Sequence, residues 1–475
     1  MTRIRGSTRG REHPRSGSAA LLGPIALTVA FVAGMLYGML VVETGIFPHD
    51  LVRDASVFVK SRVGRATEPA PPGRWFRARG AAGTTRELTE EEESEIMRLV
   101  TLGYVSGSVP APDESGVAVH DRGRAFQGLN LYTSGHAAEA FLLDMDGRVL
   151  HTWGKPSADV WPGYEGPVED AEHQLWRRVH LFDNGDLLAV YDWLGIIKVD
   201  RESRLLWSRE GRNHHDLDVL DDGTIPGRRG SLTIYVLEGE SRIIPWIDPR
   251  RPVAEDYIAV LEPDGTLRRR FSLLDAFVRS SYAPILEGMP AWGDIMHTNT
   301  LEVLDGRYED LLPAFREGNL LVSVREMDAV AVVDPEREEV VWAVTGLWRL
   351  QHEPALVEPG NLMIFNNQAR VGQASEVVEI DPRTQELVWV YPPDPRIPFY
   401  SEACGSNARL PNGNTLITES DNGRAIEVTP GGEIVWEFLN PHRAGENREL
   451  VATLYEMQRL PPDLPLGWLP APDTP

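Results

Sequence analysis

Phrases in which a turn signal precedes an alternating apolar strand recur along the chain. The clearest are VDPEREEVVW, IDPRTQELVW and VTPGGEIVW, whose closing tryptophans are 47 residues apart. Six such phrases end in an aromatic residue, at Trp153, Trp207, Phe271, Trp342, Trp389 and Trp436. Alternation predicts strands, and a period of roughly four dozen residues is typical of propeller blades. We therefore predict an all-β, six-bladed β-propeller, with the repeated aromatic side chain packed between blades.

The end of the chain has to close this ring. The last predicted inner strand, YEMQRLPPD at 455–463, lies near the C-terminus. We expect it to share a blade with a strand from residues 116–142. The propeller domain is assigned to residues 108–475, and 43 glycines and 36 prolines suit such a turn-dense fold.

The N-terminal part predicts a membrane anchor. Residues 19–42 carry no charge over 24 positions, enough for a helix to cross a bilayer core. Five arginines and one glutamate precede them in residues 1–18, so the positive-inside bias predicts a single-pass protein with a cytoplasmic tail and a periplasmic or extracellular propeller. A cleaved signal peptide is the alternative, but its apolar run is usually shorter. Residues 43–107 are predicted to form a stalk, up to residue 87, and then a short soluble helix that begins near Thr89.

Charge and cysteine content narrow the function classes. The formal net charge is −24 at pH 7, which argues against nucleic acid as a partner. The single cysteine, Cys404, excludes an intrachain disulfide. We expect its thiol to be buried and inert.

Polar residues occur at matching points of four predicted inner strands. These are NHHDLDVLDDG at 213–223, HTNTLEVLDG at 297–306, LQHEPALVEPG at 350–360 and GSNARLPNGN at 405–414. Equivalent positions of a closed repeat array converge on its axis, so we expect His215, His297 and His352 to meet in one pocket. Further candidates for the pocket are Arg177, Asn299, Arg325 and Asn407. Arg325 is expected within an otherwise apolar strand, where its charge needs an anionic partner.

The predicted pocket is cationic. Because alternate side chains of a strand share a face, Asp216 and Glu353 are expected to point away from it. A pocket of imidazoles, guanidinium groups and amides without a carboxylate wall suits an anion whose charge is spread over several oxygens. We expect no metal, since zinc and iron sites usually combine histidine with carboxylates or thiols. Two alternatives are that each histidine only satisfies buried backbone groups, and that His214 occupies the pocket in place of His215.

These motifs resemble a known family. HHD, HTN, a strand arginine, QHE and GNTLIT, in this order on a six-unit propeller, resemble the bacterial arylsulfate sulfotransferases over about residues 130–440. The resemblance implies PAPS-independent transfer of a sulfuryl group from a small aromatic sulfate donor to a phenolic acceptor. It also implies a ping-pong mechanism through a sulfohistidine, with no cofactor.

The resemblance assigns roles residue by residue. His352 matches the nucleophile, and His297 matches the neighbouring acid/base or oxyanion donor. His215 and Arg325 match the groups that bind the sulfuryl oxygens. Asn299 and Thr418 match substrate-binding amide and hydroxyl groups, and we place Asn407 and Arg177 in the same substrate-binding set.

A second function class remains open. A membrane-tethered propeller without catalytic activity would bind an anionic or sulfated ligand, or a partner protein, with the same guanidinium and amide groups. In an enzyme, substrate specificity would come from rim loops such as 224–257 and 272–294. Four aromatic residues there would form an aromatic wall or simply pack, namely Trp246, Tyr257, Tyr282 and Trp292.

Overall fold

The structure is a computed structural model that describes residues 73–79, 108–109, 114–164, 174–221, 232–370, 374–462 and 464–469. These residues belong to one compact unit. The predicted membrane anchor and the helix predicted near Thr89 lie outside them. Within the described ranges, no helix is both long and apolar enough to span a membrane.

Seven sheets account for the described strands, and six of them contain the four antiparallel strands of a propeller blade. Before the blades lie β1 (Trp75–Arg79), β2 (Ser108–Val109) and β3 (Gly116–His120). Blade 1 contains β4 (Leu129–Ser134), β5 (Glu139–Leu143) and β6 (Val149–Gly154). Blade 2 contains β7 (Trp176–Leu181), β8 (Leu187–Tyr191), β9 (Gly195–Val199) and β10 (Leu205–Glu210). Blade 3 contains β11 (Asn213–Asp221), β12 (Leu232–Arg242), β13 (Val253–Leu261) and β14 (Leu267–Ser272), with β15 (Gly293–Asp294) beside β13.

The second half of the ring follows the same plan. Blade 4 contains β16 (Thr298–Val303), β17 (Leu320–Val324), β18 (Ala329–Asp334) and β19 (Glu339–Thr345). Blade 5 contains β20 (His352–Val357), β21 (Asn361–Arg370), β22 (Ala374–Ile380) and β23 (Leu387–Tyr391). Blade 6 contains β24 (Ser406–Arg409), β25 (Thr415–Glu419), β26 (Arg424–Val428) and β27 (Ile434–Leu439). The last strands are β28 (Arg443–Ala444), β29 (Leu450–Ala452) and β30 (Leu454–Leu460).

The helices of the described ranges are short and lie between blades. α1 (Ser157–Val160) follows blade 1, and α2 (Leu273–Arg279) follows blade 3. α2 begins where the Ser272 hydroxyl accepts a hydrogen bond from the Asp275 backbone N–H, and it buries Phe277 in the core. Short 3₁₀ helices of one or two turns occur at Ala283–Gly288, Pro313–Phe315, Arg325–Met327 and Ser420–Asn422.

The ring closes as the sequence predicts. β30, from the C-terminal end, is the inner strand of blade 1 and pairs with β4. The inner strands contact one another in a closed cycle, in the order β30, β7, β11, β16, β20, β24 and back to β30. β3 adds a fifth, outer strand to blade 6. Both ends of the domain therefore take part in closure, and the all-β prediction is confirmed.

The repeated tryptophans join neighbouring blades. In four of them, the indole Nε1 donates a hydrogen bond to a backbone carbonyl in a turn of the next blade. The pairs are Trp153 to Gly185, Trp207 to Pro263, Trp389 to Pro430 and Trp436 to Met145. A fifth, Trp342, packs edge-on against Phe315. The predicted packing role is confirmed, and the hydrogen bond explains why an indole recurs at this position in place of another large apolar side chain.

A small seventh sheet differs from expectation. β1 pairs with β29 and β2, and β28 pairs with β29. β1 lies within the segment that we expected to be a stalk. The edge of β29 offers unpaired backbone groups, and the segment around Trp75 pairs with them.

The inner strands are irregular at the same end. The pairing register shifts after Trp176 in β7, after Asn213 in β11, after Thr298 in β16 and after His352 in β20. His215, His297 and Glu353 have positive φ angles of 53°, 50° and 48°, a conformation that non-glycine residues seldom adopt. Such bulges break the alternation of side chains between the two faces.

Candidate functional site

The structure brings the three predicted histidines together. His215 lies in the bulge of β11, His297 directly precedes β16, and His352 is the first residue of β20. The rings of His215 and His297 are 4.8 Å apart in an edge-on arrangement. Arg177 and Arg325 lie near enough to the His352 ring to affect its protonation. We call these five residues the cationic layer.

The His352 imidazole has one nitrogen bound and one free. Nδ1 lies 2.8 Å from Oδ1 of Asn367 and 3.2 Å from the carbonyl oxygen of Leu350. Nε2 is buried and has no hydrogen-bond partner in the part of the chain that the structure describes. Burial and the positive charge of Arg325 hold the pKa of His352 well below its usual value, although the contact with Asn367 opposes them. His352 is therefore a neutral imidazole near pH 7.

Neighbouring blades anchor the backbone on both sides of His352. Nδ2 of Asn299 donates to the carbonyl oxygen of Gln351 at 2.8 Å. The Glu353 N–H donates to the Thr300 hydroxyl at 3.0 Å, and Nδ2 of Asn407 donates to the Glu353 carbonyl at 3.0 Å. The two asparagines that we predicted as substrate ligands thus use their N–H groups to position the chain around His352.

His214 and His215 form a pair with opposite properties. Their Nδ1 atoms are 2.9 Å apart. Burial, and then the charge of Arg177, hold the pKa of His215 well below its usual value. Burial also opposes ionisation of His214, but the Asp256 carboxylate, 3.4 Å from its Nε2, raises the pKa of His214 above the usual value. His214 also stacks on Trp193. We had considered either His215 or His214 for the site. In the structure His215 belongs to the cationic layer, and His214 lies behind it.

His297 is the most accessible of the three histidines. Its side chain is 28% exposed, against 7% for His215. Nδ1 lies 2.6 Å from Oδ2 of Asp294, whose other oxygen accepts the His297 backbone N–H at 2.9 Å. Burial alone would raise the pKa of Asp294, but its hydrogen bond and ion pair with His297 lower it below the usual value. A carboxylate behind an accessible imidazole suits proton exchange with a ligand.

The two arginines of the cationic layer differ in their partners. The Arg177 guanidinium lies 4.8 Å from the centre of the Tyr455 ring, and among the described residues it has no carboxylate or hydrogen-bond partner. Nη1 of Arg325 pairs with the adjacent Glu326, but its Nε is buried and unpartnered within the same residues. The prediction that Arg325 lies within a strand is wrong. It begins a 3₁₀ turn after β17, and its backbone N–H donates to the His297 carbonyl.

A second layer lies one residue further along the same strands. Nε of Arg178 donates to Asp216 at 2.5 Å, and its Nη2 donates to Glu353 at 2.7 Å. Nη1 of Arg178 pairs with Glu456. We call these four residues the ion-paired layer. It joins the inner strands of blades 1, 2, 3 and 5.

The ion-paired layer corrects the expectation that the axis has no carboxylates. The bulges at His215 and Glu353 let successive residues of one strand face the axis, so Asp216 and Glu353 do not point away from it. A cavity of about 1140 Å³ opens on this side and is lined also by Asp218 and Glu302. Burial, and proximity to other carboxylates, raise the pKa of Glu353 to about 8. None of the three pocket histidines lines this cavity.

The remaining residues that we predicted for substrate binding lie outside the cationic layer. The Thr418 hydroxyl is occupied by the Met457 N–H at 3.1 Å and the Ser406 hydroxyl at 2.9 Å. Trp246 and Trp292 are exposed, whereas Tyr257 is buried and donates to Glu255. Tyr282 packs against the apolar core of blades 3 and 4.

Two further predictions concern cysteine and metals. Cys404 is buried, and its thiol accepts a hydrogen bond from Nη1 of Arg74 at 3.5 Å. Across the described residues, no group of three or more histidine, cysteine, aspartate or glutamate side chains is arranged to hold a metal ion.

Sequence reasoning missed the residues that orient the histidines. These are Asp192, Asp256, Asp294 and Asn367. Only Asp294 had a readable signal, because it lies three residues before His297 and can reach it across a turn. The others come from different strands of the same blade or from other blades, where spacing along the chain gives no hint.

Comparison with known proteins supports the family resemblance. Residues 262–441 match the arylsulfotransferase (ASST) family. The match confirms the resemblance seen in the motifs and supports sulfotransferase activity in general. It includes His297, Arg325 and His352, whereas Arg177 and His215 precede it. No curated protein matches the chain in sequence.

Solved structures are similar at low identity. A protein of unknown function from Bacteroides caccae is 11% identical with a TM-score of 0.42, and the match covers 70% of this chain and 98% of that one. Virginiamycin B lyase from Staphylococcus aureus is 9% identical with a TM-score of 0.38, covering 73% and 97%. The WD40 β-propeller domain of Doa1 is 13% identical with a TM-score of 0.37, covering 73% and 94%.

Proposed function

We propose that this chain, whose residues 262–441 match the arylsulfotransferase family, transfers a sulfuryl group from an aryl sulfate to a phenol by a ping-pong mechanism through a sulfohistidine on His352. The observation that carries the proposal is the cationic layer. It combines a neutral His352 that has an unpartnered Nε2 with an Arg177 that has no carboxylate partner among the described residues. Unpaired positive charge beside a nucleophile suits an anionic electrophile.

In the first half-reaction, Nε2 of His352 attacks sulfur. The N–S bond forms, the bond between sulfur and the aryl oxygen breaks, and the electron pair leaves with the phenolate. Arg177, Arg325 and His215 stabilise the equatorial sulfuryl oxygens, where the negative charge lies. His297 donates a proton to the departing oxygen, with Asp294 holding the imidazole in place.

In the second half-reaction, a phenol replaces the first product. His297, now without the proton that it donated, accepts the phenol proton, and the phenol oxygen attacks sulfur. The N–S bond breaks and its electron pair returns to Nε2 of His352. The cycle ends with each histidine in its starting state, and the aryl sulfate serves as the sulfuryl donor in place of PAPS.

Pre-steady-state kinetics test the proposal. The full-length chain is mixed with 4-nitrophenyl sulfate without an acceptor, and released nitrophenol is followed by absorbance. We expect a burst of about one equivalent, then continuous turnover after a phenol is added. The control is His352→Asn, which should give no burst. Saturable binding of the sulfate ester without any release would instead support the non-catalytic binding propeller.

We also propose that residues 19–42 anchor the chain in a membrane with the propeller on the periplasmic or extracellular side. The proposal is supported by the uncharged run and the arginines before it. Fractionation and protease protection test it. Release of the chain from membranes by high salt or carbonate would contradict the anchor.

A further inference from the structure

The side-chain amide of Asn367 has only one allowed orientation. Asn367 lies in β21 and is fully buried. Its Nδ2 lies 2.9 Å from the carbonyl oxygens of both Ser401 and Cys404. Carbonyl oxygens only accept hydrogen bonds, so the NH₂ end of the amide must face them. Oδ1 must therefore face Nδ1 of His352.

This orientation decides where the His352 hydrogen lies. Nδ1 of His352 faces two acceptors, Oδ1 of Asn367 and the carbonyl oxygen of Leu350. A nitrogen without hydrogen would leave three lone pairs facing one another in a buried place, which is unfavourable. Nδ1 therefore carries the hydrogen, and in a neutral imidazole Nε2 then carries the lone pair.

We propose that Asn367 is a positioning residue that holds His352 in the Nδ1–H tautomer and so makes Nε2 the nucleophilic atom. That Nε2 acts as a nucleophile rests on the proposed function, whereas the tautomer follows from the hydrogen bonds of Nδ1. During transfer the hydrogen stays on Nδ1. The N–S bond forms at Nε2, the sulfated ring becomes an imidazolium, and its N–H continues to donate to Oδ1 of Asn367. When the acceptor attacks, the N–S electron pair returns to Nε2 and no proton leaves His352.

The two reacting histidines have different orienting groups. Nδ1 of His297 faces the Asp294 carboxylate, whereas Nδ1 of His352 faces an amide. A carboxylate holds the imidazole in place during proton transfer. An amide fixes the tautomer without adding a negative charge, so His352 keeps its lone pair. Arg325, and after it Arg177 and His297, lower the pKa of His352, whereas the hydrogen bond with Asn367 raises it.

The direct test is the ¹⁵N NMR signature of His352 in the full-length chain labelled with ¹⁵N-histidine, without donor. His352→Asn identifies its signals by difference. We expect a protonated Nδ1 and an unprotonated Nε2. A protonated Nε2 would overturn the proposal. The result does not depend on turnover, so failure to form a sulfohistidine would remove the proposed function but leave the tautomer assignment standing.

Two variants test the positioning role. Asn367→Asp keeps the shape and adds a charge, so the acid limb of the pH profile of kcat/KM should move to higher pH. Asn367→Ala should give mixed tautomers and lower kcat/KM by roughly 10²- to 10⁴-fold, the range for loss of an aligned catalytic histidine. An unmoved acid limb in a folded Asn367→Asp chain would overturn the role. If that variant does not fold, the tautomer in the unsubstituted chain decides the question.

The matched control is Ser375→Ala. The Ser375 hydroxyl oxygen lies 2.8 Å from the backbone carbonyl oxygen of Asn367 and 3.1 Å from that of Ser401, so its one hydrogen is donated within this pair of acceptors. It has no contact with His352. The Ser375→Ala substitution therefore disturbs the packing around Asn367 without changing the groups that face Nδ1 of His352. The acid limb should stay where it is in this variant, and movement equal to that of Asn367→Asp would assign the effect to general loosening.

Discussion

The cationic layer and the ion-paired layer are built from consecutive residues of the same strands. Arg177, His215 and His352 belong to the first, and each is followed directly by a member of the second. Arg178 is contacted by three carboxylates, whereas Arg177 has no carboxylate partner among the described residues. Two adjacent arginines thus differ in role. The charge of Arg178 is neutralised within the fold, whereas the charge of Arg177 is left for a ligand.

The difference shows what each layer is for. Buried charges cost free energy unless they are paired, and the ion-paired layer meets this condition while joining four blades. In the cationic layer, Arg325 pairs with Glu326, but Arg177 has no ion pair among the described residues. Burial opposes the charge of Arg177, but the nearby Cys404 and Asp192 raise its pKa above the usual value. We interpret this guanidinium as a site kept ready for an anion.

Removal of Arg178 should have the largest effect. Arg178→Met leaves Asp216, Glu353 and Glu456 without their cation in a place that is largely buried. We expect the free energy of unfolding to fall by about 3–5 kcal/mol, the range for breaking a buried ion pair. Chemical denaturation at pH 7 measures it. A loss below about 1 kcal/mol would show that the layer does not hold the blades together.

Removal of Arg177 should have the opposite profile. Arg177→Met is expected to lower kcat/KM for 4-nitrophenyl sulfate by roughly 10²- to 10³-fold, as for loss of one oxyanion donor. The free energy of unfolding should fall by less than in Arg178→Met, because Arg177 forms no ion pair among the described residues. The two variants are matched in chemistry and adjacent in sequence. Equal loss of stability in both would break the distinction between the layers.

The pH dependence of transfer sharpens the same contrast. His352 has to be neutral to attack, and its pKa lies well below the usual value of 6.5. As pH falls through 6.5, kcat/KM should therefore be retained, and it should decline only at more acidic pH. In Arg325→Met the neighbouring charge is lost, so the decline should begin at higher pH. A decline centred at the usual histidine pKa in the unsubstituted chain would contradict a buried, cation-flanked nucleophile.

The smallest expected effect is a change of folding stability with pH that comes from Glu353. The pKa of Glu353 is raised from 4.5 to about 8 in the folded protein. Between these values the folded protein binds a proton that the unfolded chain does not, so stability should fall as pH rises from about 4.5 to about 8. Glu353→Gln should flatten this slope. Denaturation series at several pH values measure it, with Glu386→Gln, at an exposed position outside both layers, as the control.

The sequence predicted the parts of this molecule that repeat. The spacing of Trp342, Trp389 and Trp436 indicated blades, and the indoles of Trp389 and Trp436 each donate a hydrogen bond to a turn of the next blade. The convergence of His215, His297 and His352 followed from equivalent positions around an axis. Because the blades repeat, both the blade spacing and the meeting of the histidines can be predicted without knowledge of side-chain geometry.

The sequence did not predict what depends on local distortion. Strict alternation placed Asp216 and Glu353 away from the axis, but bulges beside them bring successive side chains to it. The amides of Asn299 and Asn407 were expected at a ligand and instead hold the backbone around His352. Asn367 comes from the neighbouring strand of the same blade, and its partner could be found only once β20 and β21 were paired.

The most direct test of the central claim is mass spectrometry of the full-length chain after incubation with 4-nitrophenyl sulfate and no acceptor. We predict a gain of one sulfuryl group that maps to His352, is absent in His352→Asn and disappears when a phenol is added. Release of nitrophenol without any adduct, or an adduct on another residue that persists in His352→Asn, would contradict transfer through this histidine.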